Sequence, residues 1–442
     1  MARIHPVVLL SVASLALALV AVVSLGVLAT RRASADSEIA RLLSVRELIY
    51  DEYVEPLSPD DLARDAIRGM VERLDDYSRY YPLEKESKKV EIETTGRFGG
   101  IGIVTDPTVF DALEVLFPQP GSPAERAGIL PGTRILSIDG IDVNRIPRSE
   151  AAERIRGPEG TILKLTVRDP DDGATREVDI KRSVMREPSV RQVKMLDTKL
   201  GIGGVWIRSF SEETPAQFDA AIQQLKSQEL KALILDLRFD GGGVLDSAIE
   251  IANRFIPSGL ICETRGRKET IRYEASPEKA TLAGMPVIIL LNDESASASE
   301  VLAGALADHG VAAIVGVRSY GKGVVQKLSR FEDNGAYVKF TTAYYYTPAG
   351  RNLEHPRTDD TEGTRAGGIA PDVEVPLITL RERRDIAGSL ESYDIPFKYE
   401  AEVNARRARR AIQKIEVNDP QVRAALALMR GERAPDRRLL KL

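Results

Sequence analysis

Histidine and cysteine are nearly absent from this chain. His5, His309 and His355 are the 3 histidines in 442 residues, and Cys262 is the only cysteine. One thiol excludes an intramolecular disulfide, and no zinc-type ligand cluster appears. Neither a metal nor an organic cofactor is expected. A basic excess is missing as well: the formal net charge of −5 argues against a nucleic-acid partner. The histidine supply also bears on mechanism. His5 precedes an apolar run, His309 closes a helical stretch about 18 Å from its start at about 1.5 Å per residue, and His355 stands in a polar loop. A Ser-His-Asp triad is therefore poorly supplied, whereas a Ser-Lys pair is a variant that needs no imidazole.

What the chain does have is concentrated between Val287 and Gln326. Val287 to Leu291 is an apolar run with the length of a buried strand. After a polar turn, Ser297 to Asp308 carries apolar residues at helical spacing and is closed by Gly310. Val311 to Val317 predicts a second strand, and Gly321-Lys322-Gly323 follows. Ser295, Ser297 and Ser299 crowd the helix entrance, where unpaired N–H groups and the positive dipole end can stabilise an oxyanion. The two glycines let the lysine loop bend tightly against a neighbour. The competing reading is plain: N-capping serines and a solvated loop lysine. For Lys322 to act as a base its amine must be neutral, so its pKa must fall from about 10.4 through burial or nearby cations. Val324 and Val325 supply apolar neighbours, and Gln326, four residues on, is placed to orient the amine.

The S-A-S-A-S-E run ending at Glu300, together with Asp308 and the G-K-G-V-V-Q segment ending at Gln326, resembles the carboxyl-terminal processing peptidases, or tail-specific proteases. The resemblance implies a serine endopeptidase with Ser297 as nucleophile, Lys322 as general base and Gln326 supporting the lysine. Ser295 and Ser299 are then helix-entrance serines, and Glu300 and Asp308 structural positions. A triple glycine, Gly241 to Gly243, follows the predicted strand Ala232 to Leu237 and precedes the predicted helix Val244 to Phe255. It exposes N–H groups as a phosphate loop does, but the Gly-Lys-Ser/Thr of that motif is absent. The resemblance makes this turn part of an oxyanion hole with the N–H of Ala298; losing one such donor typically costs about 10²–10³ in rate. Relatives usually carry Asn-Pro where Asp240-Gly241 stands, which leaves the choice between Gly242 and Gly243 open. Two rivals are a non-catalytic PDZ scaffold that kept the protease fold and an acyl-CoA-type hydratase or hydrolase on a similar core.

The expected architecture is an α/β protease core with a crotonase-like β-α-β sheet, an inserted PDZ domain and an N-terminal helical region. Its parts are a membrane anchor or signal segment (1–35), the helical region (36–95), the PDZ domain (96–184), the core (185–378) and a helical tail (379–442). Apolar residues from Ile39 to Ile49 recur at helical spacing, and Ser58 is a plausible N-cap for a helix to Leu74. The P-A-E-R-A-G and P-G-T-R-I-L-S-I-D-G segments (Pro123–Gly128, Pro131–Gly140) resemble a PDZ domain, a module that adds a peptide strand to its sheet edge. That likeness implies that Gly100, Ile101, Gly102 and Ile103 form the loop that holds a substrate's C-terminal carboxylate. A linker is expected up to Gly201, and Tyr337 to Tyr346, rich in Thr and Tyr, is expected to continue the core sheet. Pro6 to Ala29 is uncharged and long enough to span a bilayer, which takes about 20 apolar residues. Ala33-Ser34-Ala35 resembles a signal cleavage site. Arg31 and Arg32 by themselves favour a cytoplasmic body, whereas the resemblance implies an exported one, attached to the inner membrane with the body in the periplasm. The expected partners are protein or peptide substrates with free C-termini; the resemblance implies a second copy through the helical region, whose other reading is a packing arm, and the arginines 406–410 are read as a solvated helix face or a docking surface for an adaptor.

Overall fold

The computed structural model describes residues 37–82, 84–107, 109, 111–331, 335–355, 367–377, 379–391, 395–409 and 419–432. The apolar run from Pro6 to Ala29 lies outside them, and no helix among the described residues is long and apolar enough to cross a membrane. The chain divides into two units: residues up to Pro82 with Leu328–Phe340, and Leu83–Lys327 with Thr341–Leu442. The first holds α1 (37–52), α2 (Pro59–Glu72) and β1 (Arg79–Tyr81). Ser58 caps α2 by accepting from the Asp60 N–H, with Pro59 at the position where a missing N–H costs nothing. β1 pairs antiparallel with Tyr337–Lys339.

In the second unit, α3 (Glu84–Thr95) leads into a small antiparallel module. Its strands are β2 (Arg97–Gly100), β3 (Ile103–Thr105), β4 (Leu113–Pro118), β5 (Arg134–Ile138), β6 (Ile141–Asp142), β7 (Ile162–Arg168), β8 (Thr175–Lys181) and β9 (Ser183–Arg186). Its helices are α4 (Pro123–Arg126) and α5 (Arg148–Ile155). The main sheet runs β3-β4-β5-β7-β8, so β3 is an edge strand, while β2 pairs with β9. Strict alternation in β7 sends Leu163, Leu165 and Val167 into a core with Ile101, Val115, Ile135 and Ile138. Arg182 is buried because its guanidinium closes α5, donating to the carbonyls of Ile155 and Arg154 at 3.0 and 2.7 Å.

The larger sheet is built from β10 (Val190–Asp197), β11 (Ile202–Ile207), β12 (Ala232–Asp236), β15 (Val287–Leu291), β16 (Ala312–Gly316) and β19 (Val373–Glu374); β13 (Leu260–Gly266), β14 (Thr270–Glu274), β17 (Val324–Arg330) and β18 (Tyr337–Tyr346) lie outside it. From β11 to β19 every pairing is parallel. Between these strands run α6 (Thr214–Lys226), α7 (Leu245–Phe255) and α8 (Ala298–Asp308). The continuous apolar reading of β15 reflects burial on both faces. Val287, Ile289 and Leu291 pack with residues of α6, α7 and α8, whereas Ile288 and Leu290 face Ala424 and Ala425.

Two expectations are corrected here. The stretch before Gly201 is no linker: it contains β10, antiparallel to β11. Its mixture of Lys, Arg, Gln and apolar residues suits a sheet edge and hides it from an apolar-run search. Tyr337–Tyr346 does not extend the parallel sheet either. It pairs antiparallel with β13, Glu263 opposite Tyr346, and β13 pairs with β14. The connection from Arg330 to Tyr337 is too short for the crossover that a parallel partner requires.

The tail forms α9 (Leu380–Glu391), α10 (Phe397–Arg409) and α11 (Pro420–Met429). α11 covers the back of the parallel sheet and is tied to it by Arg238, fully buried at the end of β12. Arg238 donates to both carboxylate oxygens of Asp236, to both of Asp419, the α11 N-cap, and to Gln421 Oε1. Removing one partner of a buried charge network leaves the others uncompensated and costs about 3–5 kcal/mol. Arg238→Ala is accordingly expected to lower unfolding stability by that amount in urea titrations, and a change under about 1 kcal/mol would contradict the network's role.

Candidate active site

Three segments meet beyond the carboxyl ends of adjacent parallel strands, where open α/β sheets place their ligands. β12 runs into the glycine turn, β15 into the turn at Asn292–Ser297, and β16 into the loop with Lys322. Ser297 is the N-cap of α8, buried at 7% exposure, with φ 56° and ψ −115°. A non-glycine residue held at positive φ costs about 1–3 kcal/mol and persists only where its surroundings fix it. Two hydrogen bonds do so here. Ala296 N–H donates to the Asp240 carbonyl at 2.9 Å, and Ser295 Oγ donates to the Leu237 carbonyl at 2.8 Å. The sharp turn lifts Ser297 out of the strand and points it across the helix entrance.

The carboxylate of Glu300, one turn into α8, registers this serine against the lysine loop. Its Oε2 accepts the Ser297 N–H at 2.8 Å and the Lys322 N–H at 2.9 Å. Its Oε1 accepts the Ser319 hydroxyl and the Gly321 N–H, both at 2.6 Å. Four donors fill the four lone-pair positions of the two oxygens. Burial pushes the Glu300 carboxyl upward, and these donors pull it back toward ionisation. The rest of the loop is clamped just as closely. Tyr320 N–H donates to Ser295 O, Gly323 N–H to Glu354 Oε2 at 2.7 Å, His355 N–H to Gly321 O and Tyr345 N–H to Gly323 O at 2.7 Å. Lys322 Nζ donates to Gln326 Oε1 at 3.2 Å. Val324 is buried beside it.

In the glycine turn, the Gly242 N–H is already used: it donates to Asp240 Oδ1 at 2.8 Å. Gly242 has φ +93°, and a Cβ there would lie 2.8 Å from Ser297 Cβ and 2.9 Å from the Ala298 nitrogen. Only glycine brings this backbone so close to the helix entrance. Among the described residues neither the Gly243 N–H nor the Ala298 N–H has a protein acceptor. Ala298 follows Ser297 at the helix entrance, and Gly243 follows the glycine that packs against both.

Several neighbours escaped the sequence reading. The Tyr345 side chain is buried near Ser297, and burial pushes its phenol above its ordinary pKa. It is one aromatic among three consecutive tyrosines, with nothing in the sequence to single it out. His355, read as a loop residue, packs its ring edge-on to Tyr320 and against Gly321, beside the lysine. His309 is turned away, with Nε2 on the Leu260 carbonyl at 2.7 Å. Asp308 receives the Ala349 N–H and pairs with Arg351. Burial pushes the Cys262 thiol up to about 12, so it is no competing nucleophile. Among the described residues no group of His, Cys, Asp or Glu could hold a metal ion.

In the small module, Gly100, Ile101 and Gly102 link β2 to β3, which begins at Ile103. Ile101 is fully buried and its carbonyl accepts from Ala124 N–H at 2.9 Å; Gly102, at φ +75°, accepts from Gln119 N–H at 2.8 Å. The loop is thus fixed by α4, and β3 pairs only with β4, leaving its other edge without a strand among the described residues. Arg406, expected on a solvated helix face, is instead turned to this module, pairing with Asp171 as well as Glu402.

Glu300→Gln tests the shared carboxylate, because an amide presents two hydrogens where N–H donors now point. A misplacement of about 1 Å near reacting atoms costs about 10²-fold. Labelling of Ser297 by a fluorophosphonate is expected to slow by that factor in the folded variant, and unchanged labelling would rule the registration out.

A family model described as peptidase family S41 matches residues 201–375, and one described as PDZ domain matches residues 115–169. The carboxy-terminal-processing protease of Bartonella bacilliformis is 35% identical over 414 residues, covering 89% of this chain and 89% of that protein. The carboxyl-terminal-processing protease of Picosynechococcus sp. is 35% identical over 375 residues, covering 83% of this chain and 85% of that protein. Among solved structures, a photosystem II D1 C-terminal processing protease is 27% identical with a TM-score of 0.42, over 76% of this chain and 86% of that one. By the extent of the sequence matches, the chain belongs to the S41 family of serine peptidases, with the carboxyl-terminal-processing proteases as its relatives.

Proposed function

We propose that this protease works through a Ser297–Lys322 acyl-enzyme and selects its substrates by a free C-terminus held in the PDZ domain. The observation that carries the mechanism is the single oxygen of Glu300 that receives the N–H groups of both residues. Ser297 Oγ attacks the scissile carbonyl while neutral Lys322 takes its proton, and the C–N bond breaks as that proton passes to the leaving amine. Water then attacks the ester, its proton again going to Lys322, and Ser297 is released. Gln326 orients the amine. Gly243 and Ala298 supply the oxyanion donors, because the Gly242 N–H is engaged by Asp240.

Substrate selection is supported by the edge strand β3 and the fixed Gly100–Ile103 loop, where an added peptide strand would end with its carboxylate among backbone N–H groups. The length of the apolar run from Pro6 to Ala29 supports attachment to the inner membrane, and the family resemblance supports a body on the exported side. Association with a second copy or an adaptor belongs to the same reading.

Cleavage of an unfolded reporter, followed by mass spectrometry, tests both halves. Wild type is expected to cut; Ser297→Ala and Lys322→Ala are expected to lose cleavage while remaining folded. Amidation of the reporter's C-terminus is expected to raise KM and leave the cleavage position unchanged. Cleavage by Ser297→Ala would remove the mechanism, and equal KM for acid and amide would remove the PDZ role.

A further inference from the structure

Asp240 is a buried titratable group next to the reaction centre that takes no chemical step in the Ser297–Lys322 mechanism. It is fully buried. Its Oδ1 accepts the Gly242 N–H at 2.8 Å, and its Oδ2 is buried with no hydrogen-bond partner in the structure. Its backbone carbonyl accepts the Ala296 N–H at 2.9 Å and the Ser299 hydroxyl at 3.1 Å. One residue thus joins the glycine turn to the turn that presents Ser297.

The charges around it are otherwise engaged. Arg208, beyond β11, acts on it through space and is paired with Glu187 and Glu391. On α8, Glu300 has its oxygens filled, and Ser299 is neutral, its hydroxyl acting on the Asp240 carboxyl in the lowering sense against the larger effect of burial. In the turn after β15, Asp293 and Glu294 pair with Arg383 of α9, while Asn292 and Ser295 are neutral. Just before it in the chain, Asp236 at the end of β12 and Arg238 are closed in the network with Asp419. On the lysine loop, the Lys322 amine is bonded to Gln326. Among the described residues no cation makes a hydrogen bond or ion pair to the Asp240 carboxyl. Burial pushes its pKa well above the ordinary carboxylate value.

We propose that Asp240 positions the oxyanion-binding turn as a neutral carboxylic acid, and that its ionisation at alkaline pH switches the site off. The inference rests on the Ser297–Lys322 reading. A neutral carboxyl oxygen holds the Gly242 N–H and keeps Gly243 aimed at the reacting carbonyl. An ionised Asp240 would place a negative charge beside the oxyanion in a desolvated pocket, where like charges repel strongly. A group with a raised pKa is neutral below that pKa and charged above it, so activity falls as pH rises. Lys322 acts in the opposite sense, since its protonation removes the base on the acid side. The two groups together give a bell-shaped profile whose alkaline limb belongs to Asp240.

The test measures kcat/KM against pH for the full-length wild type and Asp240→Asn, with Ser297→Ala as the blank at every pH. Wild type is expected to show an alkaline limb while still folded by circular dichroism, and Asp240→Asn is expected to lack that limb whatever its rate at neutral pH. The same limb in both proteins, or none in wild type, overturns the proposal. Infrared spectra of wild type with ¹³C-labelled aspartate give a second readout that does not require the variant to fold. A protonated carboxyl band is expected at neutral pH and should vanish along the alkaline limb; its absence at neutral pH overturns the proposal. Activity in Ser297→Ala would instead defeat the Ser-Lys reading, and the infrared titration would still decide the state of Asp240.

Discussion

The carboxylate of Glu300 is the constraint on which the site depends. A buried anion is costly unless its lone pairs are filled, and here the donors that fill them come from two separate parts of the chain. Ser297 N–H belongs to the strand–helix turn; Ser319 Oγ, Gly321 N–H and Lys322 N–H belong to the loop after the next strand. The same four bonds that make burial tolerable also set the distance between those segments. If the loop moved, the anion would lose its solvation, so the energetic and geometric roles cannot be separated. The strained backbone at Ser297 fits this picture. Its positive φ is held by the bond to Glu300 on one side and the bond from Ala296 to Asp240 on the other.

Two buried carboxyls flank the nucleophile, and they contrast in a useful way. Glu300 receives four donors at its carboxylate, whereas Asp240 receives one and leaves Oδ2 bare. The difference in donors favours the charged form of the first and the neutral form of the second. Glu300 bonds the lysine loop to the N–H of Ser297, and Asp240 bonds the glycine turn to the N–H of Ala296.

Much of this was legible where the chain buries apolar surface on both faces. β12, β15 and α8 announce themselves by composition, whereas Ser297 is singled out from Ser295 and Ser299, and paired with Lys322 and Gln326, by the family resemblance. What the sequence concealed were residues whose role depends on a distant partner. Glu300 looks like an ordinary capping glutamate until Lys322 is folded against it. Tyr345 acquires a role only because β18 pairs with β13 rather than with the parallel sheet. β10 and β14 sit at sheet edges and carry charged residues on their exposed sides, so no apolar run marked them. That the Gly242 N–H is engaged by Asp240 while the Gly243 N–H is not is a difference no spacing rule supplies.

The tail follows from the same physics, though it carries no chemistry. α9 brings Arg383 to Asp293 and Glu294, just before the nucleophile turn, and over the ring of Phe239, just before Asp240. α11 reaches the other end of that loop through Asp419 and Gln421 on Arg238. α10 packs Tyr399 and Val403 on Val104, Leu116 and Phe117 of the PDZ domain, behind the edge strand β3. Its Lys398 and Tyr399 also bond to Glu125, lowering that carboxyl to about 2. Three consecutive helices therefore brace the glycine turn, the turn before Ser297 and the edge strand β3. A glycine turn that must stay open to a substrate cannot be stabilised by filling it, so its rigidity has to come from behind. The charged, weakly apolar composition of the tail suits that bracing role, because it grips loop carboxylates and a buried guanidinium rather than adding to the hydrophobic core.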